Sequence, residues 1–204
     1  MRSGLTFLVV EDDAAVRRPL VRALSDHGEV EAVGTCAAAR LAFRGRKYDA
    51  VIVDVSLPDG SGLDLIEVAR KRSPAAIVLV LTGSTEHAVI ERALEAGARY
   101  LLKPCHPKHL AIVAAEAWSR RSAAERRTKL ILERWAKDNG LSNTEVQLLA
   151  LGAEGVPRHE FSKRRNVRPD TIRKQIQTLL QKTGDDTFEG AVNSLLREAV
   201  AEPT

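Results

Sequence analysis

The chain has 204 residues, room for one large domain or two small ones, and carries a formal net charge of +4. Apolar residues make up 44% of it but aromatic residues only 4%, so Val, Leu, Ile and Ala must fill any core. No apolar run reaches the roughly 18 residues that span a bilayer, the N-terminus lacks the zones of a signal peptide, and no CxxC or ligand cluster is present. These features exclude membrane-spanning, disulfide-framework and zinc-framework classes, and the expectation is a soluble cytoplasmic protein with no membrane partner. Cys36 and Cys105 read as small buried apolar residues in a reducing compartment.

Leu5–Val10 is an apolar run broken only by Thr6 and reads as a short buried strand. Ala50–Val53 leading into Asp54, Ile77–Leu81 and Tyr100–Leu102 read the same way, with a weaker strand near Val30–Gly34. Between them lie helical spacings: Val16, Leu20 and Leu24; Leu63, Ile66 and Ala69; Ala88, Val89, Ala93 and Leu94; Leu110, Val113 and Ala117. Strands alternating with helices predict an α/β domain over 1–118, a doubly wound five-stranded parallel sheet covered on both faces.

Residues 119–139 are charged and rich in helix formers, and read as an extension of the last helix into a linker. Residues 140–204 predict an all-α domain of four helices. Ser142 or Asn143 caps the first, which Gly155 stops. Pro157–Arg165 forms the second, and Asn166–Arg168 a turn. Pro169–Thr183 forms the third, closed by Gly184. Asp185 or Asp186 caps the fourth, whose Ala191, Val192, Leu195, Leu196 and Ala199 form one apolar stripe.

Charge is uneven along the chain. Residues 1–118 balance 15 basic against 15 acidic side chains, whereas 158–182 holds eight basic and two acidic ones, a segment suited to a polyanion. A solvated charged face is the plain alternative.

In a parallel sheet the carboxyl ends of the strands share one edge. The first strand runs into Glu11-Asp12-Asp13, the third into Asp54, the fourth into Thr82-Gly83, and the fifth is followed by Lys103-Pro104. Clustered carboxylates repel, and a divalent cation such as Mg2+ relieves that repulsion while accepting phosphate oxygens. Asp54 is then a nucleophile toward a phosphoryl group, Lys103 neutralises one phosphoryl oxygen, Thr82 donates to another, and Gly83 leaves the approach open.

VVEDD (9–13), DVSLPDGSG (54–62), LTG (81–83) and YLLKP (100–104) resemble, in order and spacing, the receiver domain of two-component response regulators, a flavodoxin-like fold. The resemblance implies Asp54 as phosphoacceptor, and a Mg2+ site of Asp12, Glu11 through water, Asp54 and the Ser56 backbone carbonyl. It implies Thr82, Tyr100 and Lys103 as switch hydroxyl, switch aromatic and phosphate-binding lysine, and a cis Lys103-Pro104 bond. It also implies a histidine kinase as phosphodonor. Asp13 lies beyond the acidic pair and suits a helix cap. His106 and His109 read as surface residues at a helix start. An Asp nucleophile with Mg2+, Thr and Lys also describes haloacid-dehalogenase-type phosphohydrolases. Those carry a second Asp two residues on, where this chain has Ser56, whose hydroxyl is a poor base near neutral pH. The phosphoaspartate should therefore persist, with at most slow self-catalysed loss.

Residues 141–200, through LSNTEVQLLALGAEG and NVRPDTIRKQIQTLLQKTG, are similar to the LuxR-type helix-turn-helix domain. That implies double-stranded DNA as partner, with the Pro169–Thr183 helix in the major groove and Arg168, Thr171, Arg173, Lys174 and Gln177 toward the bases. Arg158, Lys163, Arg164 and Lys182 suit phosphates. Arg165, Gln175 and Thr183 stand where the family pattern has leucine, histidine and leucine. The family's fourth helix dimerises, so a homodimer is expected; the stripe on that helix equally suits its own core. The competing reading is a pseudo-receiver whose helical domain binds protein.

Overall fold

The computed structural model describes residues 4–83 and 87–201. The chain divides into two compact units, Met1–Arg121 and Ser122–Thr204.

The first unit is built on β1 (Leu5–Val10), β2 (Gly28–Val33), β3 (Ala50–Asp54), β6 (Ile77–Thr82) and β7 (Arg99–Leu102). They form one parallel sheet in the order β2-β1-β3-β6-β7. Alternation along the strands sorts the side chains onto two faces. Leu8, Val10, Val51, Val53, Val78 and Val80 pack with Ala39, Phe43, Ile66 and Ala93 of helices α2 (Cys36–Gly45), α3 (Asp64–Arg72) and α4 (His87–Glu95). Leu5, Phe7, Val9, Ile52, Leu79 and Leu81 pack with Leu20, Leu24, Leu110 and Val113 of α1 (Ala14–Ser25) and α5 (Pro107–Asp138). Both faces of β3 and β6 are buried, which explains their uninterrupted apolar runs.

Two elements depart from the sequence reading. Helix α2 has no conspicuous apolar stripe; it is alanine-rich, starts at Thr35, whose hydroxyl accepts from Ala38 N, and buries Cys36, Ala39, Ala42 and Phe43. A small antiparallel hairpin, β4 (Ser56–Leu57) with β5 (Gly60–Ser61), follows β3 directly. Leu94, expected on the inner face of α4, is 53% exposed.

In the second unit the C-terminal part of α5 supplies Ile131 and Leu132 to a core shared with α6 (Asn143–Ala153), α7 (Phe161–Arg165), α8 (Pro169–Thr183) and α9 (Phe188–Ala201). The segment expected to be a linker is thus helical through Asp138, and its last turns are core-forming. Ser142 and Glu145 form a reciprocal capping box on α6, and Gly155 (φ 77°) follows its end. The expected second helix begins as a single 3-10 turn, Arg158–Glu160, before α7. Pro169 opens α8 and Gly184, in the left-handed region, closes it. The cap of α9 is Thr187 rather than either aspartate: its hydroxyl accepts from Gly190 N at 3.0 Å, while Asp185 accepts from Ser194. The stripe of α9 faces inward, with Ala191, Val192, Leu195 and Ala199 all buried in the unit's own core. Among the described residues, no helix is long and apolar enough to cross a membrane.

Candidate functional site

The register of the sheet brings the acidic residues together. Val10 of β1 lies beside Val53 of β3, so Glu11, one step beyond, emerges beside Asp54. Asp54 in turn pairs with Leu81, which places Thr82 one step further along β6. This is the point where the strand order reverses, the place where open α/β sheets bind ligands.

Glu11, Asp12 and Asp54 each bring a carboxylate oxygen into a group whose members all lie within 4.8 Å of one another. Glu11 is 1% exposed and Asp54 6%, whereas Asp12 faces solvent. The Lys103 ammonium stands 2.7 Å from Glu11 Oε2 and 3.0 Å from Asp54 Oδ2. This ion pair is the contact that meets the buried Glu11 Oε2. Burial pushes the Glu11 carboxyl above its ordinary value; Lys103 offsets part of this, and the neighbouring Asp54 charge adds to it. Burial works against a charged Lys103, yet the two carboxylates hold its ammonium above the usual lysine range. One ammonium thus pairs with two buried carboxylates, and the exposed Asp12 carboxylate joins their cluster. Three clustered carboxylates against one ammonium make an all-oxygen donor set with surplus negative charge, which fits a hard divalent cation such as Mg2+.

Thr82 is buried (2% exposed) and its carbonyl accepts from Lys103 N at 2.9 Å, fixing the strand end that carries the lysine. The Lys103-Pro104 bond is cis. Gly83 is exposed, and a Cβ there would meet no atom within 4 Å; its place beside the cluster leaves open space. Tyr100 lies on the edge strand and is 41% exposed. Ser56 is exposed on the hairpin. Asp13 caps α1, accepting from Ala15 N at 2.7 Å. His106 is exposed and accepts from Lys108 N at 3.2 Å at the start of α5. Cys36 is buried and Cys105 half-buried; burial pushes both thiols up, away from reactivity.

Three residues that sequence reasoning passed over shape the site. The Arg17 guanidinium donates to the carbonyls of Glu11 (2.6 Å) and Asp12 (3.0 Å), so the loop carrying both acids is tied from α1. A Cβ on Gly62 would lie 1.9 Å from the Asp54 carbonyl oxygen, so the chain returning from the hairpin passes against Asp54 only as glycine. Asp59 accepts from Cys36 N and Ala37 N at 2.7 and 2.8 Å, which anchors the same loop to the first turn of α2 and holds its carboxyl below the ordinary value. Gly62 and Asp59 lie inside DVSLPDGSG and were readable as a turn; Arg17 bonds to backbone, for which no spacing speaks.

In the second unit Arg158, Lys163, Arg164, Arg168, Thr171, Arg173, Lys174, Gln177 and Lys182 all lie at the surface. Arg158, Arg164 and Arg173 pair loosely with Glu189 (3.5 Å), Glu160 (3.6 Å) and Asp170 (3.2 Å). Lys182 has an internal task instead: its ammonium donates to Gly140 O and to the buried Glu145 carboxylate, at 3.0 and 2.8 Å. Arg165 and Gln175, two of the departures noted in the sequence, bond to each other at 2.9 Å between α7 and α8.

Comparison with known proteins places these features. The family described as the response regulator receiver domain matches residues 7–115. The DNA-binding transcriptional activator DevR/DosR of Mycobacterium tuberculosis is 28% identical over 188 residues, covering 86% of this chain and 87% of that protein. The photosynthetic apparatus regulatory protein RegA of Rhodovulum sulfidophilum is 38% identical over 101 residues, 48% of this chain; the match spans 55% of that protein. Among solved structures, a CheY-like response regulator receiver domain protein from Methanospirillum hungatei superposes with a TM-score of 0.55 at 26% identity, covering 59% of this chain and 98% of that one.

Proposed function

We propose, from the premise that the chain belongs to the response regulator receiver-domain family, that it is a cytoplasmic two-component transcriptional regulator, phosphorylated on Asp54 by a histidine kinase and binding double-stranded DNA through a LuxR-type helix-turn-helix. The observation that carries the receiver half is the cluster at the sheet switch point: two buried carboxylates paired with one lysine, and an exposed third carboxylate beside them.

In this reading Glu11, Asp12, Asp54 and the Ser56 carbonyl hold Mg2+, which when bound supplies charge neutralisation. An Asp54 carboxylate oxygen attacks the phosphorus of a phosphohistidine; the P–N bond breaks, a P–O bond forms, and the imidazole leaves. Lys103, already 3.0 Å from Asp54 Oδ2, stays protonated and shifts its ion pair to a phosphoryl oxygen. The Thr82 hydroxyl donates to another, and the exposed Tyr100 ring follows inward. A ligand shifts a two-state protein only by binding the states unequally, and the contacts of Lys103 and Thr82 to phosphate provide that inequality. Because Ser56 is no general base, the acyl phosphate outlasts its formation, as a switch requires.

The DNA half is supported by the exposed row Arg168, Thr171, Arg173, Lys174 and Gln177 along α8 and by the likeness to DevR/DosR, which extends beyond the receiver. Phosphorylation is read as favouring a homodimer, whose two α8 helices meet half-sites about one DNA turn apart. The stripe of α9 is already used within its own core, so a dimer contact must draw on other side chains.

The test is intact-mass analysis after incubation with acetyl phosphate, with and without Mg2+, for the wild type and Asp54→Asn. One metal-dependent adduct, absent in the variant, is expected. No adduct on folded wild type identifies a pseudo-receiver, and labelling that persists in Asp54→Asn removes Asp54 as the nucleophile.

A further inference from the structure

Between the 3-10 turn with α7 and the N-terminal half of α8 lies an open-sided cleft of about 310 Å3. Its walls are Arg158, His159 and Ser162 on one side and Arg173 on the other; its floor is Pro169, Ile172 and Ile176. Two guanidinium groups, an imidazole and a hydroxyl thus face one space, and no carboxylate lines it. Pro169 is the first residue of α8, so the cleft opens at the positive end of a 15-residue helix. At the surface Arg158 pairs with Glu189 at 3.5 Å and Arg173 donates to Asp170 at 3.2 Å, exposed contacts that a stronger anion displaces. Arg158 also lies over the Phe188 ring, 5.8 Å from its centroid, and this holds the guanidinium at the rim.

We infer that this cleft seats one backbone phosphate of the duplex that α8 reads, with His159 and Ser162, neither of them an expected DNA contact, forming its polar wall. The inference rests on the DNA-binding reading above. The occupant is a phosphate on a polymer rather than a free small anion because the cleft is open on one side and shares Arg173 with the exposed row of α8. Arg173 then stands on the border between the phosphate seat and the base-reading face. A phosphate held here fixes the depth and direction of α8 in the groove without reading sequence.

The experiment measures how binding of the full chain to a 25-bp duplex of arbitrary sequence falls with NaCl concentration. Every phosphate that the protein neutralises contributes about one to the slope of log K against log salt, so emptying one phosphate seat lowers the slope by that amount. Ser162→Leu fills the cleft without changing charge, and Arg158→Ala with His159→Ala strips its wall. Both are expected to weaken binding about tenfold and to reduce the slope by about one, while Arg197→Ala, an equal charge loss on α9, leaves the slope in place. Folding is followed by the thermal melt, and the stripped-wall variant decides if Ser162→Leu does not fold. Folded variants with the wild-type slope overturn the phosphate seat and leave the DNA reading standing. A wild type that binds no duplex overturns both.

Discussion

Each unit buries charge, but in opposite states of balance. In the first, the buried carboxylates of Glu11 and Asp54 share the Lys103 ammonium, with the exposed Asp12 carboxylate clustered beside them. In the second, Glu145, the one buried carboxylate there among the described residues, accepts from Ser142 N, Ser142 Oγ and Lys182 Nζ at 2.7–2.8 Å. Burial alone would raise the Glu145 carboxyl, but the Lys182 ammonium and the Ser142 donors hold it below its ordinary value. The Glu11 carboxyl is displaced the other way. A carboxylate with all its donors in place is structure; carboxylates short of positive charge are a site awaiting a cation or a phosphoryl group.

The largest effect should come from removing the shared cation. Lys103→Met leaves Glu11 and Asp54 buried together with no counter-charge, at a cost of about 3 kcal/mol to the first unit. Urea unfolding in EDTA measures this, and millimolar Mg2+ should restore much of the loss because its charge replaces the ammonium. A destabilisation indifferent to Mg2+ would make the cluster structural, like that of Glu145.

Glu145→Ala is the matching change in the second unit. It removes the capping-box acceptor of Ser142 N and strands Lys182, costing about 2 kcal/mol. Mg2+ should not restore it. Glu145→Gln adds the pH arm. A carboxyl whose folded value is depressed gives its full stabilisation above the unfolded value of about 4.3, and loses it as pH falls through the lower folded value. The gap between wild type and Glu145→Gln should therefore be constant near neutrality and shrink below about pH 4.

The same contrast shows what the sequence made legible. The strand runs and the chemistry at their ends were readable because parallel strands need apolar residues on both faces and because the acids, Thr82 and Lys103 sit at strand ends. Helix α8 was readable to the residue, since Pro169 and Gly184 mark its limits chemically. Helix α2 was not, because alanine supplies its buried face and does not stand out as apolar spacing. Asp185 and Asp186 looked as good a cap as Thr187; only the backbone path decides which oxygen meets Gly190 N. Lys182 read as a phosphate contact because its partner Glu145 lies 37 residues away along the chain.

Arg17 tests whether the acidic loop is preorganised for a cation. Its guanidinium donates through one nitrogen, Nη1, to two adjacent carbonyls, a position the shorter lysine side chain reaches poorly. Arg17→Ala should weaken Mg2+ binding about tenfold, in line with the removal of a group that supports metal ligands from behind. Mn2+ titration followed by electron paramagnetic resonance gives the affinity, and Arg17→Lys should recover only part of it. Unchanged affinity would mean that the sheet register alone sets the acids.

The smallest effect separates the two units most finely. Arg165 and Gln175 occupy positions where the LuxR-type pattern places leucine and histidine, and they are joined at 2.9 Å in a half-buried setting. If each departure compensates for the other, a double-mutant cycle of Arg165→Ala and Gln175→Ala should give a coupling energy of about 0.5–1 kcal/mol in the stability of the second unit. Arg165→Leu should cost less than Arg165→Ala, because leucine supplies more apolar surface at a half-buried position. A coupling near zero would show that the pair is incidental and that the crossing of α7 on α8 is set by Phe161, Ile172 and Ile176 in the core. A measurable coupling would place a polar tie between α7, proposed to contact phosphates, and α8, proposed to read the bases.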